Sequence, residues 1–155
     1  GKFAAAVLLL DFGKGVLAVL LARQIIDSTA GEVTAGLAVL VGHNWPVFLG
    51  FRGGRGIATG LGSLAMMTPI AAAVGLLSFL PITFFSRYLS LGSVLGVVIA
   101  CLSVLGLGLA GVYSSGYTVY AFFTAAIIIW QHRDNIRRIR NGNERRLGQP
   151  AGQAN

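Results

Sequence analysis

The sequence predicts an all-α protein, a polytopic transmembrane helical bundle with six spans. Three observations lead there. Of 155 residues, 55% are hydrophobic and only 11% charged, and the mean hydropathy is +0.75. A soluble domain carries roughly 25% charged residues to face water. The apolar residues fall in six runs, at about 3–22, 33–45, 57–67, 69–86, 91–110 and 116–131. With six crossings, the basic residues collect on one side of the membrane, as the positive-inside rule requires.

The first run carries Asp11 and Lys14, three apart on one helical face, and they are read as a structural ion pair inside the bundle. The turn after it holds Arg23, Asp27 and Glu32. The second and third runs are shorter than the roughly 20 residues a straight span needs. Pro46 disfavours helix at Trp45 and so ends the second run. Thr68-Pro69 breaks the chain between the third and fourth. Merging 57–86 into one span would part Arg52 and Arg55 from the six arginines of the last quarter, Arg133, Arg137, Arg138, Arg140, Arg145 and Arg146. With six spans, Lys2, Arg52, Arg55, Arg87 and those six share one face, so both ends of the chain are expected in the cytoplasm. The short runs around 43–56 imply a loop that dips below the interface. Irregular backbone at that depth survives only when buried or lining a wet cavity.

The formal net charge is +7. The terminal arginines are read as contacts to anionic membrane lipid; no nucleic-acid partner is expected. Cys101 stands alone in an apolar run, which excludes a disulfide framework and a thiolate metal site. Two histidines without a carboxylate cluster predict no metal site, and no cofactor is expected. Nothing resembles a cleavable signal peptide. The chain opens at Gly1 without a methionine, so a preceding segment is expected.

The chemistry-bearing residues lie in three stretches. FRGGRG, Phe51 to Gly56, precedes the helix start at Ile57. Glycines let backbone amides close on an anion, and a helix N-terminus adds unpaired amides. Arg52 and Arg55 are permanently charged, bidentate donors suited to phosphate. Two readings fit this spacing: a phosphate site made by Arg52, Gly53, Gly54 and Arg55, or two positive-inside anchors in a flexible loop. It is no nucleotide P-loop, since no GxxxxGK[ST] pattern fits.

RYLSLGS, Arg87 to Ser93, opens the next helix on that side with a cation, Arg87, and two hydroxyls, Ser90 and Ser93. A snorkelling arginine and an N-cap serine would look the same; the shared membrane face weighs toward a phosphate site. In HRDNI, His132 and Asn135 fall on one face of a continuing helix. They offer a proton-transfer group and an amide, or else polar residues at an interface. His43 is read as loop-shaping. The HxxxxD pattern of one acyltransferase class is absent, because Phe48 stands where its aspartate belongs. Arginine, glycine, serine, histidine and asparagine with almost no carboxylates suit a ligand bearing more than one phosphate charge.

At these residues the chain resembles the bacterial acyl-phosphate-dependent glycerol-3-phosphate acyltransferase family, often called PlsY. GHNWPVFLGFRGGRGIAT is similar to its GHxxPxFLxFKGGKGVAT loop, RYLSLGS to its RYxSxxS loop, and HRDNIRRIRNGNE to its HRxNIxRLxxGxE tail. The resemblance implies transfer of a fatty acyl group from acyl phosphate to the 1-hydroxyl of glycerol 3-phosphate, giving lysophosphatidic acid and phosphate in membrane phospholipid synthesis. It implies phosphate binding by Arg52, Gly53, Gly54, Arg55, Arg87, Ser90 and Ser93, with His132 and Asn135 at the reacting centre in a positioning role. It implies a single acyltransferase domain over 1–140 with a cytoplasmic tail at 141–155. The enzyme is expected in the bacterial cytoplasmic (inner) membrane, multi-pass, with its site on the cytoplasmic side.

In two respects the pattern departs from the family's. Arg52 and Arg55 stand for lysines. Family members also begin with a further span and an SGNxGATNxxR loop ahead of the span that Gly1-Lys2-Phe3 resembles the start of, so a complete member is expected to have seven spans. The competing readings are a transporter or channel for an organic phosphate, and a noncatalytic subunit that binds anionic lipid.

Overall fold

Each apolar run becomes a helix, and the breaks fall where the side chains demand them. The computed structural model describes residues 2–149, so Gly1 and the last part of the expected tail, 150–155, lie outside the described residues. Helix α1 is Lys2–Ile25, α2 Thr29–Asn44, α3 Ile57–Met67, α4 Pro69–Ser86, α5 Leu89–Leu109, α6 Tyr117–Gln131 and α7 Arg133–Arg140. A 3-10 turn spans Val47–Leu49, and no strand occurs among the described residues.

Ser28 starts α2 by accepting a hydrogen bond from the Gly31 amide at 3.1 Å, which satisfies one of the free donors of the first turn. α2 stops at Asn44, ahead of Trp45-Pro46. Thr68 leaves helical geometry, and Pro69 takes the first position of α4, where its missing N–H costs nothing. The third and fourth runs are therefore two helices.

Two helix pairs are packed through glycine. A Cβ on Gly15 would stand 2.2 Å from the Thr59 carbonyl oxygen, and one on Gly62 would stand 2.1 Å from that of Phe12. α1 and α3 thus meet backbone to backbone. α4 and α5 do the same through Gly75, Gly92 and Gly96. Small residues permit the close approach by which helices associate in lipid, where apolar burial gives little drive. The thin core gathers Val19, Leu64, Met67, Ala71, Val104 and Tyr120. Most of the large apolar side chains point outward, along α1, α4, α5 and α6.

By length and composition α1, α4 and α5 can each cross a membrane, while α3 and α6 are shorter apolar helices. At one end of the bundle, Arg23 donates to both Glu32 oxygens at 2.9 Å and to the Met66 carbonyl at 2.8 Å. The Tyr117 hydroxyl donates to the same carboxylate at 2.9 Å. That clamp ties α1, α2, α3 and α6. The polar loops described next lie at the other end.

Candidate functional site

The α2–α3 loop is folded under its own histidine. The Gly53 and Gly54 amides donate to the Asn44 and His43 carbonyls, each at 3.2 Å. A Cβ on Gly53 would meet the His43 oxygen at 2.1 Å, and one on Gly54 the His43 Nε2 at 2.1 Å. What these glycines supply is close approach; their amides are engaged within the loop, so the expected pair of free anion donors is not presented here. Gly56 has φ +79 and begins α3 in the left-handed region that a glycine adopts without strain. Arg52 and Arg55 emerge exposed, and among the described residues neither is bridged to a carboxylate.

His43 shapes the loop through a charged cluster. Lys14 Nζ donates to Asp11 at 2.7 Å and approaches His43 Nδ1, which lies 3.5 Å from the same Asp11 oxygen. The predicted Asp11–Lys14 pair therefore forms, with His43 as its third member. Because His43 sits level with Lys14, the loop starts some dozen residues along α1 from Lys2, about 18 Å at 1.5 Å per residue.

His132 joins α6 to α7 at a break in the helix and is 1% exposed. Its Nδ1 lies 2.8 Å from the Ile128 carbonyl oxygen. A carbonyl can only accept, so Nδ1 carries the proton and Nε2 keeps its lone pair. Burial lowers the pKa of the ring below 6.5; the Ile128 bond and Glu144 oppose the shift and the nearby Arg55 charge adds to it. The imidazole is therefore neutral at pH 7, with Nε2 as an acceptor.

Ser90 and Asn135 are brought together by a residue the sequence reading left in the tail. The Glu144 carboxylate accepts from Ser90 Oγ at 2.7 Å, Asn135 Nδ2 at 2.6 Å and Arg138 Nε at 2.8 Å. Burial alone would raise its pKa, but those three donors outweigh it and hold the group below 4.5. The expectation of a site almost free of carboxylates is corrected by this residue. The cause is local: Gly142 has φ +73, and the Asn143 amide bonds back to the Arg138 carbonyl at 2.8 Å, so the chain reverses after α7. The Asn-Gly pair at 141–142, and the G and E of the HRxNIxRLxxGxE pattern that fall on Gly142 and Glu144, were the available signals.

The returning segment then runs over the α4–α5 turn. The Leu147 amide donates to the Arg87 carbonyl at 2.7 Å, and Arg87 Nη2 donates to the Leu147 carbonyl at 3.2 Å. Arg87 is itself left-handed, with φ +63. Ser93, one turn along α5 from Ser90, donates its hydroxyl to the Leu89 carbonyl of its own helix at 2.9 Å rather than to Glu144. Asn44, passed over in the sequence, is 1% exposed beside Gly56, and neither amide atom has a partner among the described residues. No group of three or more histidine, cysteine, aspartate or glutamate side chains suited to a metal occurs among them either.

Known proteins share this architecture. The family model described as glycerol-3-phosphate acyltransferase matches residues 1–142. A glycerol-3-phosphate acyltransferase of Halalkalibacterium halodurans is 40% identical over 147 residues, covering 94% of this chain and 71% of the relative. One from Synechococcus sp. strain CC9902 is 43% identical over 148 residues with the same coverages. The crystal structure of PlsY (YgiH), an integral membrane glycerol 3-phosphate acyltransferase, in its glycerol 3-phosphate form superposes with a TM-score of 0.85 at 39% identity, covering 95% of this chain and 72% of that one. Its lysophosphatidic acid form superposes equally well.

Proposed function

The chain belongs to the glycerol-3-phosphate acyltransferase family, so it is an integral membrane enzyme that acylates glycerol 3-phosphate; we propose that the donor is an acyl phosphate, and that the reaction takes place at the end of the bundle bearing His132. The observation that carries this reading is the meeting, at that end, of exposed Arg52, Arg55 and Arg87 with a buried neutral histidine. Fixed cations without carboxylate partners suit two phosphate-bearing reactants.

An acyl phosphate is a mixed anhydride with a good leaving group, so the enzyme's task is chiefly positioning. Arg52, Arg55 and Arg87 hold phosphate, with Gly53 and Gly54 letting the loop fold tightly under His43. His132 Nε2 accepts a hydrogen bond from the 1-hydroxyl and points its oxygen at the acyl carbon. The oxygen–carbon bond forms, the carbon–phosphate oxygen bond breaks, and the departing phosphate takes the hydroxyl proton. Ser90 and Asn135 act from the frame that Glu144 ties together, and Ser93 stiffens the start of α5. The acyl chain lies among the helices, which accounts for an enzyme embedded in lipid.

In this reading α1 to α6 make six crossings, residues 1–140 form the acyltransferase domain and 141–155 a tail, and the loops face the cytoplasm at the bacterial inner membrane. The charge distribution favours that orientation, with Arg52, Arg55, Arg87 and the late arginines on one face. Arg55→Ala and His132→Ala, each introduced into the complete protein, are expected to abolish phosphate release from acyl phosphate plus glycerol 3-phosphate. Turnover at the wild-type rate in both variants would remove this assignment.

A further inference from the structure

A groove on the outer face of the α6–α7 joint takes no part in the chemistry above. It encloses about 630 Å³ and is lined on its α6 side by Ile129 and Trp130, and on its α7 side by Ile136 and the arginines 133, 137 and 140. Positions 129, 130, 133, 137 and 140 follow helical spacing as one stripe that continues past His132, while His132 and Asn135 point the opposite way into the bundle. Along this stripe the chemistry changes abruptly from apolar to cationic.

Trp130 is 60% exposed. The Arg133 guanidinium lies 4.8 Å from its ring centroid and donates to its carbonyl at 3.0 Å, which pins that cation at the boundary. Arg137 has one partner, Asp134 at 3.2 Å, on an exposed pair that contributes little. Arg140 has no carboxylate partner among the described residues. The groove therefore holds an excess of positive charge immediately beside an apolar wall at the end of a membrane helix. A free phosphate would use only half of it. A phospholipid matches both halves, with acyl chains along Ile129 and Trp130 and an anionic headgroup among the arginines.

We propose that this groove is a binding site for an anionic diacyl phospholipid of the surrounding membrane, separate from the reaction site. The inference rests on the reading above in which α6 crosses the membrane and α7 lies at its surface, and is independent of the acyl donor. An interfacial tryptophan and a run of arginines are the groups expected there.

The test uses the complete protein with Trp45→Phe, which leaves Trp130 as the fluorophore of this chain. Brominated phosphatidylglycerol is expected to quench Trp130 at about tenfold lower lipid fraction than brominated phosphatidylcholine, since each arginine adds attraction to an anionic headgroup. The combined Arg133→Gln, Arg137→Gln and Arg140→Gln variant is expected to lose the preference while keeping acyl transfer; Arg145→Gln with Arg146→Gln is expected to keep the preference. Equal quenching by the two lipids in the parent would overturn the proposal, whether or not the triple variant folds. So would equal loss in both arginine variants, which would mean diffuse charge, or displacement of the lipid by inorganic phosphate alone, which would mean a free-anion site.

Discussion

His132 is a neutral ring at pH 7, and the role proposed for it as a hydroxyl acceptor carries a pH dependence. The fold lowers its pKa below 6.5, so the form with a free Nε2 is fully present above pH 6.5 and is lost as pH falls through the lowered value. The acid limb of kcat/KM is expected below pH 6.5, measurable from initial rates at constant ionic strength. His132→Ala is expected to reduce kcat by about 10²-fold or more. Glu144 has the other readable titration. Its pKa is held below 4.5, so the stability it contributes is present above pH 4.5 and drains away as the pH drops through the lowered value. Glu144→Ala leaves Ser90, Asn135 and Arg138 without their acceptor, and is expected to cost about 2–3 kcal/mol, seen as a lower melting temperature in detergent. At this scale the sequence was partly legible. Arginine, serine and histidine chemistry is written in the residues themselves, which is how His132 and Arg55 came to be candidates, but spacing alone left a structural reading of each open. Glu144 was not, because its importance comes from a chain reversal that only folding completes. Nor were the engaged amides of Gly53 and Gly54, since hydrogen-bond partners do not show in a spacing pattern.

The helices were more legible than their contacts. Pro46 and Thr68-Pro69 marked breaks that the backbone makes, and runs 57–67 and 69–86 match α3 and α4 to the residue. The break between α6 and α7 was missed, because HRDNI has no proline or glycine to announce it. Which faces meet was also hidden, since glycine serves both as turn and as packing surface. Two substitutions separate those uses. Gly62→Ala would press a methyl to 2.1 Å from the Phe12 carbonyl oxygen, backbone that cannot swing aside. It is expected to part α1 from α3, at a cost of about 1–3 kcal/mol in thermal unfolding. Gly54→Ala instead pushes on the His43 ring, a side chain that can move. That variant is expected to stay folded while losing about 10²-fold in turnover, as Arg52 and Arg55 shift with the loop. Loss of both properties together in Gly54→Ala would argue against a purely local role for the loop.

Across the whole molecule, the two ends of the bundle have opposite characters. One is closed by the Arg23, Glu32 and Tyr117 clamp joining four helices. The other gathers arginines, a buried histidine and a folded-back carboxylate. Breaking the clamp by Glu32→Ala strands Arg23 and Tyr117 and is expected to lower the melting temperature without changing donor choice. The membrane environment was readable at this scale from composition, because too few charged residues leave only lipid as a surrounding, and the apolar runs gave the helices. The most direct measurement is acyl transfer to glycerol 3-phosphate by the purified complete protein, with acyl phosphate, acyl-CoA and acyl carrier protein offered in parallel. Lysophosphatidic acid formed only with acyl phosphate, with one phosphate released for each product, is the predicted result. Equal or faster transfer from acyl-CoA or the carrier protein would contradict it.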